Sequence, residues 1–120
     1  MKYLCLVYFE GKIWDTIPQK ESDAITEESL AYDKQLMESG HFIAAEALDS
    51  IQTATTVRVR NGKVSTTDGP FAETKEVLGG FVLINAQDLD EAIQIASKIP
   101  LARRGSIEVR PVLQLQPAGG

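Results

Sequence analysis

Apolar and polar positions fall into blocks along these 120 residues. "KYLCLVYF", about residues 2 to 9, is apolar at both odd and even positions and reads as a buried strand. The polar stretch "EGKIWDTIPQKESD" reads as a connector, with Trp14 either a lid over the core or a stacking surface. From about Thr26 to Ser39 the period becomes helical: Glu27 and Glu28 suit the positive end of the helix dipole, and Gly40 is a stop. At about 100° per residue, Ile25, Leu30, Tyr32, Leu36 and Met37 share one arc, and Asp33 lies inside it. A carboxylate on that stripe needs a partner, water or Lys34 at the helix edge, or a shifted pKa, so Asp33 is a candidate ligand-binding residue.

"HFIAAEAL", about 41 to 48, reads as a second strand. Strict alternation puts Glu46 on the side of Phe42 and Ala44, making it a candidate inward-facing acid. "TTVRVRNGKVST" is a hairpin in which Asn61-Gly62 forms the two-residue turn, so Arg60 faces Lys63, Val59 faces Val64, and Val57, Val59, Val64 and Thr66 share one side. "GGFVLINA", about 79 to 86, is a further apolar strand. Asp88 and Glu91 have capping-box spacing ahead of a helix burying Leu89, Ala92, Ile93 and Ala96, which Pro100 ends. "GSIEVRPVLQL" supplies the last strand; residues 1–115 form the domain and 116–120 a frayed tail.

The order strand, helix, strand, hairpin, strand, helix, strand predicts an α+β fold. Without the inserted hairpin it is the ferredoxin-like arrangement, an antiparallel sheet with two helices on one face. Two helices cover only one face, whereas "YLCLVYF" and "FVLI" are apolar on both. The open face is therefore expected to join a second copy in an isologous homodimer.

Composition narrows the chemistry. The net charge of −5, with no clustered basic footprint, argues against a nucleic-acid or anionic-membrane surface. The N-terminal apolar run is too short to span a bilayer and has no small-residue cleavage site, so a cytoplasmic location is expected. One cysteine, Cys5, excludes an internal disulfide and reads as a buried hydrophobe; His41, the single histidine, reads as a surface residue. No cofactor and no metal site is expected.

"TTDGPFAETKEVLGGF", residues 66 to 81, remains. Asp68-Gly69-Pro70 is turn chemistry, Phe71 has the size to anchor the loop in an apolar pocket, and Gly79-Gly80 allow close backbone approach. The bland reading is an anchored loop with a solvated charge cluster. The functional reading has the loop present Asp68 and Glu73 to a pocket, with Lys75 setting their charge state.

The run "TTVRVRNGKVSTTDGPFAETKEVLGGF", with "DLDEAIQIASKIP" and "GSIEVRPV", resembles the YCII-related, DGPF-type family over nearly the full chain. The resemblance implies a dimeric α/β barrel and a small soluble bacterial protein, often encoded beside an extracytoplasmic-function sigma factor. It makes Asp68, Gly69, Pro70, Phe71, Glu73, Thr74, Lys75 and Glu76 the site candidates, and matches Glu46 to an acid flanked by glycines in the family, here Ala45 and Ala47. In the wider group a His–Asp pair is the proposed acid–base machinery, and Ser29 stands where that histidine would fall.

Two functions follow, besides a purely structural dimer. One is a small-molecule-binding or regulatory module, with a small polar ligand and a sigma factor as partners. The other is a cofactor-independent lyase or isomerase, with Asp68 or Glu73 as general base and Lys75 or Tyr8 orienting the substrate.

Overall fold

The computed structural model describes residues 1–118; Gly119 and Gly120, the end of the predicted tail, lie outside the described residues. Strand β1 (Lys2–Glu10) is followed by a short helix α1 (Ile13–Thr16) and the long helix α2 (Gln19–Glu38). Strand β2 (Phe42–Ala47), a 3-10 turn (Ile51–Thr53), the hairpin β3 (Thr55–Arg60) and β4 (Lys63–Asp68), and strand β5 (Glu76–Asn85) come next. Helix α3 (Leu89–Ser97), a second 3-10 turn (Pro100–Arg103) and strand β6 (Ser106–Pro111) complete the chain. The class is α+β: an open four-stranded antiparallel sheet of order β2-β5-β1-β6 and a separate two-stranded sheet β3-β4.

The long apolar strands occupy the centre of the sheet because they bury most. Tyr3, Cys5, Val7 and Phe9 of β1 join Val82 and Ile84 of β5 in one core with Leu36 of α2 and Ala92, Ile95 and Ala96 of α3. Helices α2 and α3 thus pack on the same face, and the Tyr32 hydroxyl donates to the Ile95 carbonyl at 2.7 Å to link them. The alternate residues Leu4, Leu6 and Tyr8 pair with Leu83, Phe81 and Leu78 on the uncovered face. Close packing sets two glycines: a Cβ on Gly79 would lie 2.1 Å from the Phe9 ring, and one on Gly105 would lie 2.0 Å from the Tyr8 carbonyl oxygen.

Several expectations need correction. Helix α2 begins seven residues before Thr26, at Gln19, because extended Pro18 ends the connector and frees the following residues to coil. Its stop is as expected, with Gly40 at φ 81° and the His41 amide donating to the Leu36 carbonyl. Its covered line runs through buried Ile25 and Leu36 and half-buried Tyr32, while Leu30 and Met37 are exposed: the covered stripe is narrower than the apolar arc. On α3, Leu89 and Ile93 are likewise exposed and Ile95 is buried, since the helix turns its small residues to the sheet. The Asp88 cap forms, its carboxylate accepting from the Glu91 amide at 2.9 Å.

Strict alternation fails in β2. An irregularity between Phe42 and Ala44 pairs Phe42 with Ile84 on the core side, but Ala44 and Glu46 with Leu83 and Phe81 of the open face. Glu46 is therefore exposed and does not share a side with Phe42. The hairpin register is as expected throughout, with Asn61 and Gly62 both at positive φ, 53° and 75°.

Candidate functional site

The motif loop is built on the root of the hairpin. Asp68 closes β4, and Gly69, at φ 99°, turns the chain as a side chain there would resist. The Gly69 amide donates to the Ala54 carbonyl at 2.7 Å, and the Thr56 hydroxyl donates to the Gly69 carbonyl at 2.8 Å. At the far end the Thr74 hydroxyl donates to the Glu76 carbonyl at 2.5 Å, feeding the chain into β5. The Glu76 carboxylate then accepts from the Ser106 hydroxyl at 2.9 Å, tying the loop to the opposite edge strand.

Between these anchors lies a hollow of about 690 Å³. Tyr8 and Leu78 of the open sheet face line it, together with Pro70, Phe71, Thr74 and Glu76 of the motif. Five sequence candidates, Tyr8, Pro70, Phe71, Thr74 and Glu76, therefore meet. Asp68, Gly69 and Glu73 are not among its walls, and both acids are exposed. Phe71 does not anchor the loop in an apolar pocket: its ring is 81% exposed, because no apolar surface of this chain receives it. Lys75 lies 3.7 Å from the Glu10 carboxylate, so its ion pair is with β1 and not with Asp68 or Glu73.

The remaining wall was not legible in the sequence. Ser50 and Ile51, and the hairpin root at Ala54, Thr55 and Thr56, close the side facing the motif. Asp49, beside Ser50, is the one charged group on this side, and all of these residues stand well before the motif in the chain; Ser50 gives a local signal, its side chain capping the 3-10 turn by accepting from the Gln52 amide.

A second hollow, about 380 Å³, lies between α2 and the core face of the sheet. Val7, Ile25 and Val82 give it apolar walls; Ser29, Tyr32 and Asp33 bring polar atoms from α2, and Glu46 borders it from β2. Burial raises the Asp33 carboxyl above its ordinary value. Burial, and secondly the neighbouring Cys5, raise the Tyr32 phenol in the same way. Tyr8, Pro70, Phe71, Thr74 and Glu76 thus gather at the motif hollow and Asp33 and Glu46 at the α2 hollow, while Asp68, Gly69, Glu73 and Lys75 line neither.

The model of the YCII-related domain matches residues 1–116. The chain belongs to the YCII-related family. An uncharacterized protein of Rhizobium meliloti (strain 1021) is 34% identical to it over 119 residues, covering 98% of this chain and 96% of that protein.

In this YCII-related chain the two side chains most often used in acid–base and nucleophilic work sit apart from both hollows. His41 Nε2 is 3.3 Å from the Glu91 carboxylate and its Nδ1 is 2.7 Å from the Ser39 hydroxyl, a surface arrangement joining the end of α2 to α3. Cys5 is fully buried, and burial pushes its thiol up to about 11, the opposite of what a nucleophile needs. Among the described residues no group of three or more His, Cys, Asp or Glu is gathered as metal ligands would be, and no helix is long and apolar enough to cross a membrane.

Proposed function

We propose that this YCII-related protein is a small-molecule-binding module whose ligand occupies the motif hollow. The observation that carries this reading is the convergence of Tyr8, Pro70, Phe71, Thr74 and Glu76, drawn from two elements far apart in sequence, around one space of about 690 Å³. Its lining is mostly apolar, with the hydroxyls of Tyr8 and Thr74 and the carboxylate of Glu76 among it, a combination that favours a small ligand with an apolar body and a few hydrogen-bonding groups. Asp68, Glu73 and Lys75, exposed at the loop's surface, act in this reading at the entrance.

The module works as a cytoplasmic homodimer joined through the open sheet face, on which Leu4, Leu6, Leu83 and Phe81 have no covering layer from their own chain. The sheet order β2-β5-β1-β6 supports the ferredoxin-like reading, and pairing of two such sheets would complete the dimeric α/β barrel that the family resemblance implies. A sigma factor is the partner proposed for the regulatory role, on that resemblance alone.

A thermal-shift screen of a metabolite library tests the binding reading. A ligand at about 100 times its dissociation constant adds roughly 2.7 kcal/mol, several degrees in a domain of this size. The shift is expected to vanish in Thr74→Val/Glu76→Gln and to survive in Asp33→Asn. A shift lost only in Asp33→Asn would move the site to the α2 hollow.

One observation favours a second reading, a cofactor-independent lyase or isomerase. A general base working near neutral pH needs a raised carboxyl, and Asp33 is raised by burial inside a hollow, whereas Asp68 and Glu73 are exposed. The base in this reading is Asp33 in place of Asp68 or Glu73. Its test is the pH profile of any turnover found: Asp33→Asn abolishes turnover, while Asp68→Asn/Glu73→Gln leaves the profile in place.

A further inference from the structure

The charges around the motif hollow are all of one sign. Asp49 lines it from the side of the 3-10 turn and Glu76 from the side of the motif, and among the described residues no Lys, Arg or His lines it. Neither acid has an ion-pair partner among the described residues, whereas Glu10, Glu21, Glu28, Glu91 and Glu108 each lie against a basic side chain. Two bases that stand close in the chain are engaged elsewhere or fall short. Lys75, next to Glu76, reaches Glu10 and lines a neighbouring hollow of about 780 Å³. Arg58, two residues beyond Thr56 on the same side of the hairpin, does not line the motif hollow.

Both acids are held from one side only. The Ser106 hydroxyl lies 2.9 Å and 3.4 Å from the two oxygens of the Glu76 carboxylate, which is half-buried. Asp49 Oδ1 accepts from the Ser50 amide at 2.6 Å. A carboxylate offers about four acceptor positions, so each keeps most of its own open toward an occupant. The same hollow has two aromatic rings, Tyr8 and the 81% exposed Phe71.

We propose that the ligand of the motif hollow is an organic ammonium ion, its positive head between Asp49 and Glu76 and its apolar body against Tyr8, Leu78 and Phe71. This rests on the binding module proposed above and adds the charge and chemical class of what it binds. Such a ligand supplies two things the chain lacks at this place. One is a counter-charge for a pair of acids, which form charge-assisted hydrogen bonds to an ammonium. The other is an apolar surface for Phe71, whose ring, like that of Tyr8, also attracts a cation to its face. A ligand carrying a carboxylate or a phosphate meets like charge on both sides and is disfavoured.

The surroundings act in the same direction. A cleft with apolar walls and charges of one sign focuses its field and raises the local concentration of the opposite ion, and the chain as a whole has a net charge of −5. The hollow is open to solvent, so this attraction weakens with salt while the apolar contacts do not.

The test is amide NMR titration with three probes that share one apolar body and differ in the head: tryptamine, tryptophol and indole-3-propionate, which are positive, neutral and negative. Tryptamine is expected to shift amides of residues 49–56 and 71–78 and to bind about tenfold or more tightly than tryptophol, with indole-3-propionate weakest. Added salt is expected to weaken tryptamine and spare tryptophol. Asp49→Asn/Glu76→Gln, in which the new amide oxygen still accepts from Ser106, is expected to bring tryptamine down to the affinity of tryptophol. Asp23→Asn/Glu27→Gln removes two exposed acids of α2 that line neither hollow and is expected to leave all three affinities as they are. Tryptophol binding as tightly as tryptamine, or tryptamine binding unchanged in Asp49→Asn/Glu76→Gln, overturns the ammonium and leaves the binding module standing. Tightest binding of indole-3-propionate does the same. Tryptamine shifts confined to α2 would put the cation in the other hollow and overturn this assignment. No shift with any probe at millimolar concentration also overturns it, and the metabolite screen then decides the binding reading by itself.

Discussion

The two faces of the four-stranded sheet are made by alternate residues of the same strands, yet they obey different rules. On the covered face Cys5 and Ile84 are fully buried, and α2 and α3 lie over them in a single core. On the open face Leu4, Leu6, Leu83 and Phe81 are equally apolar but remain half-buried, sheltered only by one another. The covered face stores the stability of the monomer. The open face holds apolar surface whose burial needs a further body.

That contrast makes graded predictions. The largest effect is expected at the closest packing of the covered side. Ile84→Ala empties a fully buried site and should cost about 2–5 kcal/mol in urea unfolding. Gly105→Ala, whose Cβ would meet the Tyr8 carbonyl oxygen, should be comparable, because backbone must move to admit it. A cost under about 1 kcal/mol for both would break the comparison.

Next comes pH. The Cys5 thiol, which has its ordinary value of 9.0 in the unfolded chain, is pushed up to about 11 by burial in the folded one, so the folded state holds its proton through that window. Its contribution is complete below pH 9 and is lost as pH rises through about 11, worth up to roughly 3 kcal/mol. Stability followed from pH 8 to 11 should fall more steeply in the wild type than in Cys5→Ala. A thiol reagent should label Cys5 only on unfolding; labelling of the native protein at the unfolded chain's rate would mean the covered face is open.

The open face should behave in the opposite sense. Leu6→Asn is expected to cost the monomer less than about 1 kcal/mol, since the site is already half-wet, but to abolish any concentration dependence of the melting temperature that the proposed homodimer would confer. An equal loss at all concentrations would place Leu6 with the core. The smallest effect belongs to Lys75→Ala: its pair with Glu10 is exposed on both sides, and its melting temperature should match the wild type within error.

How much was readable before the fold was known differs by region. The hairpin was legible residue by residue, because Asn-Gly dictates its own turn and the turn dictates the register. The cap of α3 was legible for the same local reason. The sides of Leu30, Met37, Leu89 and Ile93 were not, since a helical wheel shows which residues are apolar and not how wide a neighbour will cover them. Glu46 was misread because one irregularity in β2 reverses every side chain after it.

The candidate site divides in the same way. The unusual chemistry of residues 68 to 76, the strand and helix order, the turn at Asn61-Gly62 and membership of the YCII-related family are all properties of the chain read in one dimension, since each depends on neighbours a few residues apart or on overall pattern. Only the tertiary structure decided that Glu76 and Thr74, and not Asp68 or Glu73, face the motif hollow, that Tyr8 and the root of the hairpin complete it, and that Asp33 carries the burial-raised carboxyl. The physical reason is that a pocket and a pKa depend on which surfaces are brought together and how much water they exclude. Those distances are fixed by packing between segments that are remote in sequence.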